Sequence, residues 1–225
     1  MSNLSTKNIP TGGEGVSKTL QPSVSLCKIH NVSIEEFKFK AGALNVILHL
    51  EGEDLGKDFE GFFIDKDRPE LGRYKGKVGT VKATEWAFAD GETKTKIPVN
   101  RDQEMLKWLK QFCTSIGCLP WLESQDDKHA TIQSLFAAFD KEKPFAGKFY
   151  HFCIAGKEYT NKSGYTAYEL FLPKYSKEGV PVEHDYVTVP KLIKFNPSEH
   201  IKKKKIENVS GFGAAETKID SDFDL

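Results

Sequence analysis

Two stretches of the chain interleave flat rings with cations. One is Gly72-Arg73-Tyr74-Lys75-Gly76-Lys77, leading on to Lys82, Trp86 and Phe88. The other is Lys148-Phe149-Tyr150-His151-Phe152, with Lys157, Tyr159, Lys162 and Tyr165 around the turn that follows. Ammonium and guanidinium groups can track a phosphate backbone, releasing its condensed counterions. Ring faces can stack on unpaired bases at about 1–3 kcal/mol per base, with tolerance for any base. Both residue types together on an open sheet would serve a single strand without reading its sequence. On each strand, however, one alternate set of side chains must be core. Tyr150, Phe152 and Ile154 form one set and Phe149, His151 and Cys153 the other, and the pattern leaves open which of them faces out.

The C-terminal end carries a second kind of chemistry. Residues 211–215 are a Gly- and Ala-rich spacer around Phe212, followed further on by Asp220-Ser221-Asp222-Phe223-Asp224-Leu225. Such a peptide can dock on a partner, with Asp220, Asp222 and Asp224 against its cations and Phe223 or Leu225 in an apolar pocket. It can also lie over the chain's own basic groove, or simply solubilise. Just upstream, residues 202–205 are four consecutive lysines. They can contact phosphates, pair with the tail or act as its hinge; a solvated charge run is the plain reading.

Metal and catalytic chemistry find less. Cys27-Lys28-Ile29-His30, the pair Cys113 and Cys118, and His151 with Cys153 have no spacing of a zinc finger or ribbon, so reduced buried thiols are expected and no metal. There is no Walker-type phosphate loop, no GxSxG, no HExxH and no cofactor motif. Asp65 with Asp67 and Asp126 with Asp127 sit where turns are expected, and turns favour Asp for backbone reasons. The expectation is a protein that is not an enzyme and carries no cofactor; a metal-dependent nuclease built on Asp65 and Asp67 is the weaker alternative.

Composition bounds these readings. In 225 residues, 39% are hydrophobic and 28% charged, enough for a packed core under a charged surface. Lys plus Arg and Asp plus Glu both number 32, and a zero net charge argues against nucleic acid as partner. The distribution is uneven, because Glu216, Asp220, Asp222 and Asp224 oppose only Lys218 at the end, leaving a mildly basic body. The first twenty residues lack an apolar signal region, and the longest apolar stretch, residues 43–50, is far too short to span a bilayer. A cytoplasmic protein is expected, its thiols reduced.

The elements that must hold these residues alternate in a definite order. Residues 1–23 read as a flexible N-terminal arm. Residues 34–39 and 44–50 read as strands around an Ala41-Gly42 turn, and residues 59–65 as a short strand before a turn at 67–70. Residues 72–88 form a twisted strand or hairpin, with Asp90-Gly91 as a turn. Asn100 with Gln103 makes a capping box for a helix carrying Met105, Trp108, Leu109, Phe112 and Ile116; Gly117 ends it and Pro120 prevents its return. A second helix starts near Asp126 or Asp127 and carries Ile132, Leu135, Phe136 and Phe139. Strands resume at 148–155 and, after a turn at 161–164, at 165–173, where Tyr168, Leu170 and Leu172 share a face. Residues 187–189 add an extended piece. Strands, then helices, then a closing hairpin is the order of the OB-fold, a five-stranded Greek-key β-barrel whose open face and loops bind oligonucleotides; an unrelated α+β sheet is the alternative. The domain is expected over 24–200, followed by a basic hinge and acidic tail over 201–225.

On Phe59-Glu60-Gly61-Phe62-Phe63-Ile64-Asp65 through Tyr74 to Phe88, and on His151 to Tyr159 through Gly164-Tyr165 to Leu172-Pro173, the chain resembles bacteriophage single-stranded DNA-binding proteins, particularly those of crAss-like gut phages. The resemblance spans roughly residues 24–195 in texture and order. The tail is similar to the acidic, aromatic-ended tails of bacterial and phage single-stranded DNA-binding proteins, but Phe223 stands two residues early and their Pro is absent. The resemblance implies an OB-fold, sequence-independent coating of single-stranded DNA in replication, recombination or repair, and recruitment of replication or recombination proteins through a tail whose partner is not the standard bacterial pocket. It implies the cytoplasm of an infected bacterium. A protein-interaction adaptor of a replication complex is the other reading of the same surface.

Overall fold

A computed structural model describes residues 18–57, 59–64, 67–161, 163–173 and 195–203. Among them the chain is mainly β. The strands are β1 (Ser23–Glu36), β2 (Leu44–Asp54), β3 (Phe62–Phe63), β4 (Arg73–Tyr74), β5 (Gly76–Lys82), β6 (Gly91–Glu92), β7 (Pro98–Val99), β8 (Phe149–Thr160), β9 (Thr166–Phe171) and β10 (Ile201–Lys203). The helices are α1 (Arg101–Ser115), α2 (Leu119–Glu123), α3 (Ile132–Glu142) and α4 (Pro197–His200).

The main sheet runs in the order β1-β2-β5-β9-β8-β10, and β1 also pairs with β8, so the sheet curls into a partial ring. Its contacts are antiparallel except β5 with β9 and β10 with β8. The ring is not a clean barrel. β8 reaches only the first part of β1, Ser23 to Lys28. Beyond it α3 takes the place of a strand: the Val32 N–H donates to Asp140 Oδ1 at 2.8 Å, and Lys143 Nζ donates to the His30 carbonyl at 2.6 Å. On the other side β5 meets β9 only at Val81–Leu170 and Lys82–Phe171.

Period-two patterning fills the ring. Cys27, Ile29, Val32, Val46, Leu48, Leu50, Val81, Phe152, Ile154 and Leu170 are all buried in one cluster. The helices extend that cluster rather than cover a separate one. Asn100 caps α1 by accepting from the Gln103 N–H, Met105, Trp108, Leu109 and Phe112 fall on one face, and Gly117 leaves the helix at φ +71°. Trp108 stacks on Phe112 at 4.8 Å, and Phe139 meets Phe145 at 5.1 Å. Each fully buried Phe contributes about 1.5–3 kcal/mol relative to exposure.

Several boundaries differ from the sequence expectation. Pro120 does not merely stop α1; it sits in the first turn of α2, where its missing N–H costs nothing. Asp126 and Asp127 lie in a turn, and α3 begins five residues later, capped by Thr131 accepting from the Ser134 N–H. Lys18 to Leu20, assigned to the arm, join the sheet: Thr19 bridges Val78 and Leu20 is buried against Gly52 and Gly79. Likewise Ile201–Lys203, assigned to the hinge, pair with β8. Residues 187–189 lie outside the described residues.

Candidate nucleic-acid interface

Along β8 Tyr150, Phe152 and Ile154 are buried, and of the other set Cys153 is buried as well, so that Phe149 and His151 alone of these six keep some exposure. Tyr150 pairs opposite Cys27 and is 7% exposed, its hydroxyl donating to the Phe145 carbonyl at 3.4 Å. Burial, with a smaller effect of Cys118, pushes the Tyr150 phenol up to about 12. Tyr150 is therefore core and leaves the candidate set. Phe88 also packs against the core, held by paired backbone hydrogen bonds to Leu44 at 2.8 Å. Phe149 and Tyr159 lie on the outer set and are exposed, as is Tyr165 beside the Asn161 turn; His151 is half-buried.

The remaining candidates divide into two groups on different arcs of the ring. The first crosses β8, β1, β2 and the β3–β4 hairpin. Phe149 stands opposite Lys28, which in turn stands opposite Glu51. The Glu51 carboxylate, 2% exposed, receives Lys28 Nζ at 2.9 Å, His30 Nε2 at 2.5 Å and the N–H groups of Lys75 and Gly76 at 2.7 and 3.1 Å. Burial opposes its charge, but these hydrogen bonds outweigh burial and hold the carboxyl below the usual carboxylate range. Tyr74 meets His30 edge-on at 4.8 Å; burial, then the Glu51 charge, raises its phenol. Arg73 lies over the Phe63 ring at 4.1 Å and pairs with Glu60 at 3.0 Å, while Lys75 Nζ donates to the Phe59 and Glu60 carbonyls at 3.0 Å. Lys77 is half-buried in β5, and Lys148 is exposed just before β8.

The second group crosses β5, β9, β8 and β10. Lys82 pairs with Glu169; Glu169 stands opposite Lys157; Lys157 lies 3.5 Å from Glu85; and Glu85 also pairs with Lys202. The charges thus alternate across four elements. Trp86, 72% exposed, lies against this row with Lys157 Nζ 4.1 Å from its ring centroid. Beside it opens a cleft of about 560 Å³ lined by Trp86, Phe88, Phe171, Glu104, His200 and Lys202 among others. His200, the last residue of α4, is buried, with Nδ1 accepting from the Asn196 N–H at 3.0 Å and 3.8 Å from Cys153 Sγ; burial lowers its pKa against a smaller pull from Glu199.

The structure therefore joins parts of the two sequence clusters pairwise, Arg73–Lys75 toward Phe149 and Lys82–Trp86 toward Lys157, but not on one platform. Its cations are also largely matched by carboxylates. Lys202 belongs to the lysine run already read as a candidate for phosphate contact, yet its place beside Lys157 depends on a parallel pairing across a long chain separation. Phe39, 89% exposed between Lys38 and Lys40 in the β1–β2 turn, shows the same ring–cation alternation outside both groups. Lys162 and the tail residues Asp220, Asp222, Phe223, Asp224 and Leu225 lie outside the described residues.

All four cysteines are free thiols in buried positions. Burial, then Glu53, pushes the Cys27 thiol up to about 12. Among the described residues no three His, Cys, Asp or Glu side chains converge as metal ligands, and no helix is long and apolar enough to cross a membrane. Comparison with known proteins finds no matching family model, no similar curated protein and no similar solved structure.

Proposed function

We propose that this chain binds single-stranded DNA without sequence preference, as a non-enzymatic phage replication, recombination or repair protein on an OB-type scaffold. The observation that carries the reading is Trp86: a large ring, mostly exposed, laid beside Lys157 on the outside of a sheet and at the mouth of a cleft. An exposed indole next to cations offers a base a stacking face and its phosphate a counter-charge. The scaffold part is supported by the pairing order, β1-β2-β5-β9-β8 and back to β1, with β5 and β9 parallel and helices inserted between β5 and β8. A partly open five-stranded ring of this kind is what the OB reading calls for. The tail, on this reading, recruits replication or recombination proteins in the host cytoplasm.

Titration with oligo-dT at low salt, followed by Trp fluorescence, tests it. Binding is expected to quench Trp86 and to weaken steeply with salt, with a slope near 0.7 per phosphate contacted. Trp86→Ala is expected to cost about 1–3 kcal/mol of binding. No binding to any oligonucleotide at low salt would overturn the reading.

One observation favours the adaptor alternative: Arg73, Lys82, Lys157 and Lys202 already have carboxylate partners, so the surface is close to neutral. A protein partner captured by the folded chain, with no affinity for DNA, would establish it.

A further inference from the structure

Glu85 faces two cations at once. Its Oε1 lies 3.5 Å from Lys157 Nζ and its Oε2 accepts from Lys202 Nζ. Lys157 and Lys202 stand opposite each other in register on β8 and β10. Like charges directly opposed on neighbouring strands repel, so this pair needs an anion between them. The turn that supplies it is fixed at both ends: Thr84 Oγ1 donates to the Trp86 carbonyl at 2.5 Å, and Phe88 is bonded through its backbone to Leu44. Glu85 is itself only 18% exposed, whereas Lys202 is 48% exposed, so the seat is preformed and open on the β10 side. The next residue along is Trp86, exposed and within cation–π reach of Lys157.

An oxyanion held by two ammonium groups with an open indole alongside is the arrangement a nucleotide presents and requires. We propose that Glu85 occupies the seat of a backbone phosphate: a bound single strand displaces the carboxylate, places a phosphate between Lys157 and Lys202, and sets the adjoining base on Trp86. The proposal rests on the single-strand reading and gives it a defined subsite. It also explains how a neutral surface can bind a polyanion. The internal carboxylate neutralises the lysines in the resting protein, and displacing it costs the bound strand part of its affinity. The same competition favours long strands over isolated anions, because a free phosphate has no neighbouring base to add stacking.

Glu85→Gln tests this directly, since it keeps the shape and removes the charge; Glu85→Ser serves if Gln disturbs the turn. With labelled oligo-dT, the variant is expected to bind about fivefold or more tighter near 50 mM salt, because the same phosphate then enters the seat without displacing a carboxylate. Glu85→Gln combined with Lys202→Gln is expected to lose that gain. If wild type binds and a folded Glu85 variant binds no tighter, this inference falls and the single-strand reading stands. A gain that survives loss of Lys202 overturns the seat as drawn. If neither protein binds at low salt, both fall.

Discussion

Glu51 shows how a single carboxylate can organise a surface. It is charged although nearly inaccessible, because the Lys28 ammonium, the His30 ring and two backbone N–H groups converge on it. The N–H groups belong to Lys75 and Gly76, so the same carboxylate sets where the β3–β4 hairpin joins β5. Its pKa is lower in the fold than in the open chain, so its stabilisation is complete above the ordinary carboxylate range and is lost as pH falls through the folded value. His200 acts in the same direction: its folded pKa is depressed by burial, so the unfolded chain takes up more protons and stability declines as pH drops below about 6.5. Urea midpoints are therefore expected to fall in two stages between pH 7.5 and 3.5. Glu51→Gln should flatten the lower stage. Glu51→Leu should destabilise at every pH, by about 1–3 kcal/mol for each N–H left without an acceptor.

At the scale of elements, close approach matters as much as pattern. β5 begins at Gly76, under the irregular stretch of β2 between Glu51 and Asp54. A Cβ at Gly76 would lie 2.0 Å from the Gly52 carbonyl oxygen, which is backbone and cannot swing aside. Gly76→Ala is therefore expected to cost about 3 kcal/mol or more by forcing β2 and β5 apart, whereas Gly91→Ala, with open space around it, should fall within about 0.5 kcal/mol. Denaturant melts of the two variants check the contrast. This squeeze was not legible in the sequence: residues 72–88 read as a twisted strand or hairpin, but the pattern does not say which backbone Gly76 lies against. Local signals fared better: Asn100, Gly117 and the apolar spacing of α1 carry their own geometry, and the Asn161 turn binds its own backbone through Asn161 Oδ1. α3 was placed too early because Asp126 and Asp127 have cap chemistry, but the apolar face that selects the cap begins only at Ile132.

For the molecule as a whole, the chemistry of the candidate site was readable and its placement was not. Ring and cation types singled out Trp86, Lys157 and Arg73 as groups that a nucleotide could meet, and the structure sets a cation against a ring at each, Lys157 against Trp86 and Arg73 against Phe63. Their division between two arcs follows from which strands adjoin, and alternation along one strand says nothing of the next. The zero net charge likewise hid its meaning: the balance arises within the surface, carboxylate by carboxylate, and not only from an acidic tail.

The ring's thinnest side has a consequence for how it breathes. Between β5 and β9 only two residue pairs meet, and the rest of that margin of β5 is held by Lys18 to Leu20 through the Val78 N–H to the Lys18 carbonyl and the Leu20 N–H to the Val78 carbonyl. A lone peptide strip can peel from such a seam without dragging a hairpin after it, so thermal fluctuation should unzip the molecule there first. In deuterium exchange the amides of Leu20 and Val78 are expected to label well before that of Leu48 in the β2 interior; equal protection would mean the seam is as firm as the rest.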